Sequence, residues 1–376
     1  MEQCICRSCR SIHRSVRSAC RFAAAFAIGV ICCAGQAFAA SDQSVSGFTL
    51  RVGYQPYYAE AWSGALVREL RLYEGRLPPN VRTEFLAATM GAEVLVSALQ
   101  RGEIDVAYLG LAPTLTLTQD LSRGDFRIVG VSSVSRRLCN VIIAKAGAPA
   151  LNSPAALQWL AGKRVAVPRG SCADLFLADV LEKGQVAPAR VFNQSIDVLS
   201  ASLKASAVDA VAVWEPVATD LVRTTGAVRL LDGDGIEERS AAFIVARAAL
   251  LRDHADIVVG WLAAERAAEL LLASDPETMA TREALARQAS GLSRETLLAA
   301  WSGASSPNQH PAPPATFPFV VTPEVSLMLR DAAARMAQRG LLANPGLRAQ
   351  TIADGATRQV LAAAGNRSSQ SGKAYP

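Results

Sequence analysis

Four turns in this 376-residue chain carry the groups best suited to holding a small solute: Thr89-Met90-Gly91, Gly110-Leu111-Ala112-Pro113-Thr114, Gly170-Ser171-Cys172 and Asn193-Gln194-Ser195. Each follows a β-branched or apolar run and leads straight into a stretch with helical spacing. The first turn of a helix offers backbone N–H groups without intrahelical partners, together with a partial positive charge. Such turns suit a small anion or anionic group, for instance a sulfonate, nitrate or carboxylate. Taken singly, Ser, Thr and Asn at these places are more simply read as ordinary helix caps; only the four together suggest a site.

Covalent and metal chemistry is poorly provided for. Beyond residue 39 the histidines are His254 and His310, and neither has a cysteine or a second histidine at metal-ligand spacing, so a zinc site is not expected. No G-x-S-x-G, P-loop or G-x-G-x-x-G pattern occurs, and nothing in the sequence brings Cys172 and His254 together as a nucleophile pair. The expected chemistry is binding, with no metal and no cofactor.

The elements that position these turns alternate in type. Period-two or β-branched runs predict strands over 48–53, 81–85, 104–109, 126–131, 140–144, 164–168, around Val191, 209–214 and 243–246. Helical spacing predicts helices over 60–72, 90–100, 114–119, 153–160, 171–182, 195–204 and 217–224. Strands alternating with helices of this length argue for βαβ units and mainly parallel sheets, an α/β fold. After Ala246 the chain reads as almost all helix, over 255–273, 276–289, 294–301 and 323–341. Residues 303–319, rich in Pro and Ser, read as a surface loop, and 366–376 as a disordered tail. In an open α/β sheet the C-terminal strand ends gather at one crevice, where ligands bind.

The N-terminus has the three-part pattern of a secretory signal peptide. A basic segment carries Arg7, Arg10, Arg14, Arg17 and Arg21; an apolar run spans 22–35; and Ala37-Phe38-Ala39 offers a cleavage site after Ala39. The apolar run is short for a membrane span. Ile31-Cys32-Cys33 lacks the small residue that would precede a lipid-modified cysteine, so an exported, unanchored chain is expected. The whole chain has 38 basic and 33 acidic residues, but residues 40–376 alone are almost neutral. That near-neutrality gives no case for binding nucleic acid or an anionic membrane. Six of the eight cysteines lie in the first 39 residues. The two that remain, Cys139 and Cys172, are either bridged or both buried and free.

Several segments, in order, resemble the nitrate/sulfonate/taurine family of periplasmic substrate-binding proteins of ABC importers. Arg51-Val52-Gly53-Tyr54-Gln55 resembles that family's first strand and ligand loop. Arg101-Gly102-Glu103-Ile104-Asp105, followed by Gly110 and Pro113, resembles its next strand entry and loop. Residues 160–168 with Gly170-Ser171, then Val208-Asp209-Ala210 with Trp214-Glu215-Pro216, resemble its second lobe, and 243–247 the strand that returns to the first. The resemblance implies a two-lobed type II periplasmic binding protein fold with a hinge of two crossing strands. Lobe 1 would comprise 40–138 and the mostly helical return 240–365, and lobe 2 would comprise 139–239. It further implies a periplasmic, monomeric protein that closes on a small-molecule ligand and docks on an inner-membrane permease. The segment 55–77 departs from the family in length and aromatic content (Tyr57, Tyr58, Trp62, Tyr73), and Cys172 stands where many relatives carry Ser or Thr.

On this frame the ligand-lining residues are expected to be Tyr54, Gln55, Tyr57, Thr89, Gly91, Gly110, Ala112 and Pro113 from lobe 1. Lobe 2 would supply Ser171, Cys172, Asn193, Trp214 and Glu215. Trp214 would wall an organic tail and Glu215 would meet a ligand ammonium. Cys139 at the crossing and Cys172 at a strand end would both lie near the cleft floor, which favours a disulfide over a free thiol at a helix start. Sulfonates and taurine lead the expected solutes, then nitrate and bicarbonate; the added tyrosines keep a neutral pyrimidine or aromatic compound open.

Overall fold

The structure, a computed structural model, describes residues 47–371 apart from Met90, Ala189, 275–278, 289–290 and 303–314. The expected targeting segment 1–39 and His310 lie outside the described residues. In chain order the strands are β1 (Phe48–Tyr54), β2 (Val81–Ala87), β3 (Val106–Gly110), β4 (Phe126–Ser135), β5 (Val141–Ala144) and β6 (Arg164–Val167). They continue with β7 (Arg190–Asn193), β8 (Ala210–Val213), β9 (Val228–Asp232), β10 (Ser240–Arg247) and β11 (Ala315–Thr316). They form two sheets, ordered β11-β4-β10-β3-β1-β2 and β7-β6-β8-β5-β9. β3, β5 and β8 are buried along their whole length, as strands covered on both faces by helices must be.

Both sheets are mixed, which corrects the expectation of mainly parallel sheets. β1, β2 and β3 run parallel, as do β6, β7 and β8, but β10 and β5 pair antiparallel with their neighbours. The reason is the route of the chain. It leaves the first sheet after β4 through 136–140 and returns from the second through 233–239, so the strands beside the crossings do not arrive by a βαβ crossover. The two crossings touch: Gly233 N–H donates to Arg136 O at 2.9 Å, and a Cβ on Gly233 would run into the carbonyl oxygens of Arg136 and Glu238. β9 is a strand the sequence pattern did not reveal, because Leu230-Leu231 breaks the alternation. Helix Gly355–Ser371 runs on to Ser371 where a disordered tail was expected from 366, with no proline or glycine between 366 and 371 to stop it. Among the described residues no helix is long and apolar enough to cross a membrane.

The segment after β1 is pinned to the first sheet by buried polar groups. Glu60 Oε2 accepts from Tyr58 Oη at 2.6 Å and from Ser240 Oγ at 3.0 Å, and its carbonyl accepts from Ser133 Oγ at 2.7 Å and Ser132 Oγ at 3.2 Å. Ser132 continues to Ser63 at 2.7 Å. Nearby, Tyr108 Oη donates to Glu265 Oε2 at 2.6 Å. Burial pushes the Glu60 carboxyl up to about 8 and the Glu265 carboxyl up to about 7, against hydrogen bonds that pull the other way. Both acids are therefore biased toward the neutral form, which burial favours over the carboxylate.

A covalent bridge ties the first crossing to lobe 2, and ion pairs join the lobes. Cys139, on the first crossing, is bridged to Cys172 at the start of helix Cys172–Lys183, with Cα atoms 6.5 Å apart. Arg339, which ends helix Pro323–Gln338, donates to Asp179 at 2.7 Å and Glu182 at 2.6 Å on that same helix. Helix Arg294–Ser302 packs on helix Val217–Thr225 of the second lobe, while its Trp301 stacks on Trp62 of the first at 5.5 Å.

Two outcomes follow for stability. The folded chain holds the Glu60 and Glu265 protons above their ordinary value of 4.5, so the stability they confer is full below that pH and is lost as pH rises through about 7–8. Melting temperature should fall between about pH 5 and pH 8, and Glu60→Gln or Glu265→Gln should flatten that slope; a melting temperature that rises over the interval would show the acids ionised in the fold. The bridge spans 33 residues, so Cys139→Ser with Cys172→Ser should lower the unfolding free energy by roughly 2–4 kcal/mol in denaturant titration.

Candidate functional site

Where the two lobes face each other, two spaces among the described residues are lined by residues expected at the site. One, at the floor, is about 20 Å³ and is lined by Gln55, Tyr58, Ala92, Gly110, Pro113, Ser171, Cys172 and Trp214. That volume holds about one water. The second is a chamber of about 570 Å³, to which lobe 1 contributes Tyr57 and Thr89 and lobe 2 the helices Ile196–Lys204 and Val217–Thr225. Gly291 and Leu292, just before helix Arg294–Ser302, complete it. This size lies within the range of small-molecule sites.

The floor is built by close approach. Gly110 ends β3 and opens helix Leu111–Gln119, and a Cβ there would lie 2.7 Å from Tyr58 Oη and 3.3 Å from Cys172 Sγ. Tyr58 Oη itself sits 3.8 Å from Cys172 Sγ. Gln55 Nε2 donates to Tyr108 O at 3.2 Å, which fixes its amide beside β3. Trp214, at the end of β8, donates from Nε1 to Tyr57 O at 2.7 Å, and its ring meets Tyr58 edge-on at 6.2 Å. Ala59 N–H donates to Glu215 O at 2.9 Å. These two bonds join lobe 2 to the segment after β1.

The helix starts are satisfied in different ways. Ser153 and Thr322, away from the cleft, cap their own helices through Ala156 N at 3.2 Å and Val325 N at 3.2 Å. In contrast, Gly91, Gly110 and Ser195 open their helices with no side-chain cap. Helix Leu111–Gln119 also has no acidic residue in its first turn, whereas Asp197 occupies that turn of helix Ile196–Lys204 and Glu93 that of helix Ala92–Arg101. The start of helix Leu111–Gln119 is thus the most favourable of the three for an anion.

Several expected contacts are placed otherwise. Tyr54 is buried against Phe85, with ring centroids 6.2 Å apart and the Arg68 guanidinium over its ring, so it serves the core and lines neither space. Ala112 is buried and, like Gly91, borders neither space. Ser171 lines the floor, but its hydroxyl accepts from Asp174 N at 3.1 Å and donates to Pro168 O at 2.7 Å, so it acts as a cap. Asn193 Oδ1 accepts from Arg169 N at 3.0 Å and stays outside the cleft. Glu215 is ion-paired with Arg229 and accepts from Thr219 N at 3.1 Å, so its carboxylate is committed within lobe 2 and cannot meet a ligand ammonium.

Turn chemistry alone did not reveal the chamber's lobe 2 wall. Its signal in the sequence is the spacing of Asp197, Ser200, Ala201 and Lys204, at i, i+3, i+4 and i+7, which is one helix face.

Comparison with known proteins agrees with this architecture. The periplasmic aliphatic sulphonate binding protein SsuA from Escherichia coli is 22% identical over 82% of this chain and 92% of its own, with a TM-score of 0.66. The alkanesulfonate-binding protein SsuA from Xanthomonas axonopodis pv. citri, bound to MOPS, is 24% identical over 81% and 98%, also at 0.66. The desulfurization enzyme DszB, as a point mutant in complex with biphenyl-2-sulfinic acid, is 16% identical over 84% and 99%, at 0.60. The fold is therefore the two-lobed type II periplasmic binding fold, which serves binding proteins and at least one enzyme. No curated protein matches significantly. The family model described as NMT1/THI5 like matches residues 92–279, half of the chain. That stretch runs from the first helix start on the floor, through both crossings, to the helices behind lobe 1, and the chain belongs to the NMT1/THI5-like family.

Proposed function

We propose that this protein is the periplasmic solute-binding component of an ABC importer, exported by a cleaved signal peptide and acting as a monomer. It takes a small organic anion between its lobes and delivers it to a membrane permease. The observation that carries this reading is the uncapped, acid-free start of helix Leu111–Gln119 at Gly110, on a floor shared by both lobes. The N–H groups of Leu111 and Ala112, the first two of that helix, are the donors that would meet the head group once the lobes part, since Pro113 has none.

The mechanism follows from the seam. As closed here, the floor has room for about one water. Parting the lobes would break the Trp214–Tyr57 and Ala59–Glu215 hydrogen bonds and expose the helix start. The anionic head would displace the water, and re-forming the two bonds would close the cleft over the ligand body in the chamber. The ligand shifts open to closed only by its differential affinity for the closed form. A sulfonate is favoured over nitrate or bicarbonate because the chamber accommodates an organic body. Binding is favoured over turnover because Cys172 is bridged, Ser171 is a cap, and His254 packs on Phe48 at the far end of β1, with ring centroids 4.3 Å apart.

A thermal-shift panel of taurine, alkane- and arylsulfonates, nitrate, bicarbonate and pyrimidines tests this. A ligand at 100 times its Kd should add about 2.7 kcal/mol of stability. Organic sulfonates should stabilise the protein, and Gly110→Ala, whose methyl would crowd Tyr58 and Cys172, should weaken them by at least about tenfold in Kd. Stabilisation by pyrimidines alone would move the assignment to a neutral solute.

A further inference from the structure

A cluster of ion pairs joins the lobes behind the floor. Helix Pro323–Gln338 packs on helix Leu111–Gln119 of lobe 1. Arg335 and Arg339 stand at its end, four residues apart and so on one face. Asp179 and Glu182 meet them from helix Cys172–Lys183 of lobe 2, and Glu238 from the second crossing. The Asp179 side chain is 3% exposed and meets both arginines, Arg339 at 2.7 Å and Arg335 at 3.3 Å. Arg335 also reaches Glu238 at 2.7 Å, and Lys183 lies 3.9 Å from the same carboxylate. A void of about 10 Å³ touches Asp179, Glu238 and Arg335, and also Leu111 and Cys172 at the starts of the two floor helices. It is at most the size of one water, so little solvent screens the pairs. The cluster is nonetheless imperfectly satisfied. Among the described residues Arg335 Nε and Arg339 Nη1 are buried without a hydrogen-bond partner. Parting the lobes would hydrate both groups and offset part of the cost of breaking the pairs.

We propose that Asp179, Arg335 and Arg339 form an electrostatic latch that biases the solute-free protein toward the closed arrangement and still lets it part. This rests on the reading above that the lobes part, and it holds whatever the solute. A solute held by the closed form has an apparent Kd that varies inversely with the closed fraction. The latch therefore sets affinity from residues that line neither the floor nor the chamber. Parting moves the buried charges into water, where salt screens them, so ionic strength favours the parted form. Glu182, whose side chain is 70% exposed, adds little, as surface pairs do.

The reporter is the Ala59 N–H, whose acceptor, Glu215 O, lies on the other lobe. Amide exchange of the purified, solute-free protein, read at Ala59 and at β3 and β5 inside the lobes, separates parting from unfolding. In the wild type Ala59 should exchange faster than β3 and β5, and faster still when ionic strength is raised. Asp179→Asn should speed exchange at Ala59 at least about tenfold, leave β3 and β5 unchanged and remove most of the salt dependence. Glu182→Gln should change little. If Asp179→Asn also speeds β3 and β5, the partly exposed Arg339 decides: Arg339→Gln must then raise Ala59 exchange alone, and failure to do so would overturn the latch. Unchanged Ala59 exchange in a folded Asp179→Asn variant would overturn the latch and leave the parting of the lobes in place. Wild-type exchange at Ala59 no faster than at β3 and β5 would overturn it together with the reading on which it rests.

Discussion

The hydrogen bonds around Glu60 set the geometry on which the cleft depends. They tie the segment after β1 to Ser133 of β4 and Ser240 of β10, the two strands of the first sheet that adjoin the crossings between lobes. With that segment fixed, Tyr57 O is placed to accept from Trp214 and Ala59 N–H to donate to Glu215. Tyr58, whose hydroxyl donates to Glu60, is held against Cys172 and Gly110. A buried acid would normally be costly, but here protonation and several partners offset the desolvation. One side chain thus determines where lobe 2 can rest on lobe 1.

The disulfide adds a second constraint on the same place. It joins the first crossing to the start of a lobe 2 helix, so the crossing and that helix must move together. Any parting of the lobes, as proposed above, would have to turn on the two crossing segments and break the hydrogen bonds of Trp214 and Ala59 and the ion pairs of Arg339. Those hydrogen bonds and ion pairs can break and re-form; the bridge does not.

Much of this fold was legible in the sequence, because most strands and helices announce themselves by period and by turn residues. Ser153-Pro154 marks a helix start that the structure shows capped and opened as the residues dictate. Strand β9 was hidden by its paired leucines, and the antiparallel pairings by a route that only the two-sheet topology reveals. The site was partly legible. Gln55, Gly110, Pro113 and Trp214 do reach the floor, and Tyr57 and Thr89 the chamber. Ser171 and Cys172 also reach the floor, but the Ser171 hydroxyl, Asn193 and Glu215 are committed to other partners for one physical reason: a polar residue at a turn can satisfy its own backbone or a neighbour, and sequence does not show which partner wins. Asp197 and Asp220 of the chamber wall were overlooked because charged residues on a helix face look like solvated surface until a second lobe is placed opposite them.

A solute with its head at the start of helix Leu111–Gln119 and its body in the chamber must protect backbone amides on both lobes. Amide hydrogen exchange of the purified protein, with and without a saturating organic sulfonate, tests this most directly. The predicted result is slowed exchange both in the first turn of helix Leu111–Gln119 and in helix Ile196–Lys204, on opposite sides of the cleft. Protection confined to one lobe, or appearing only away from both helices, would contradict it.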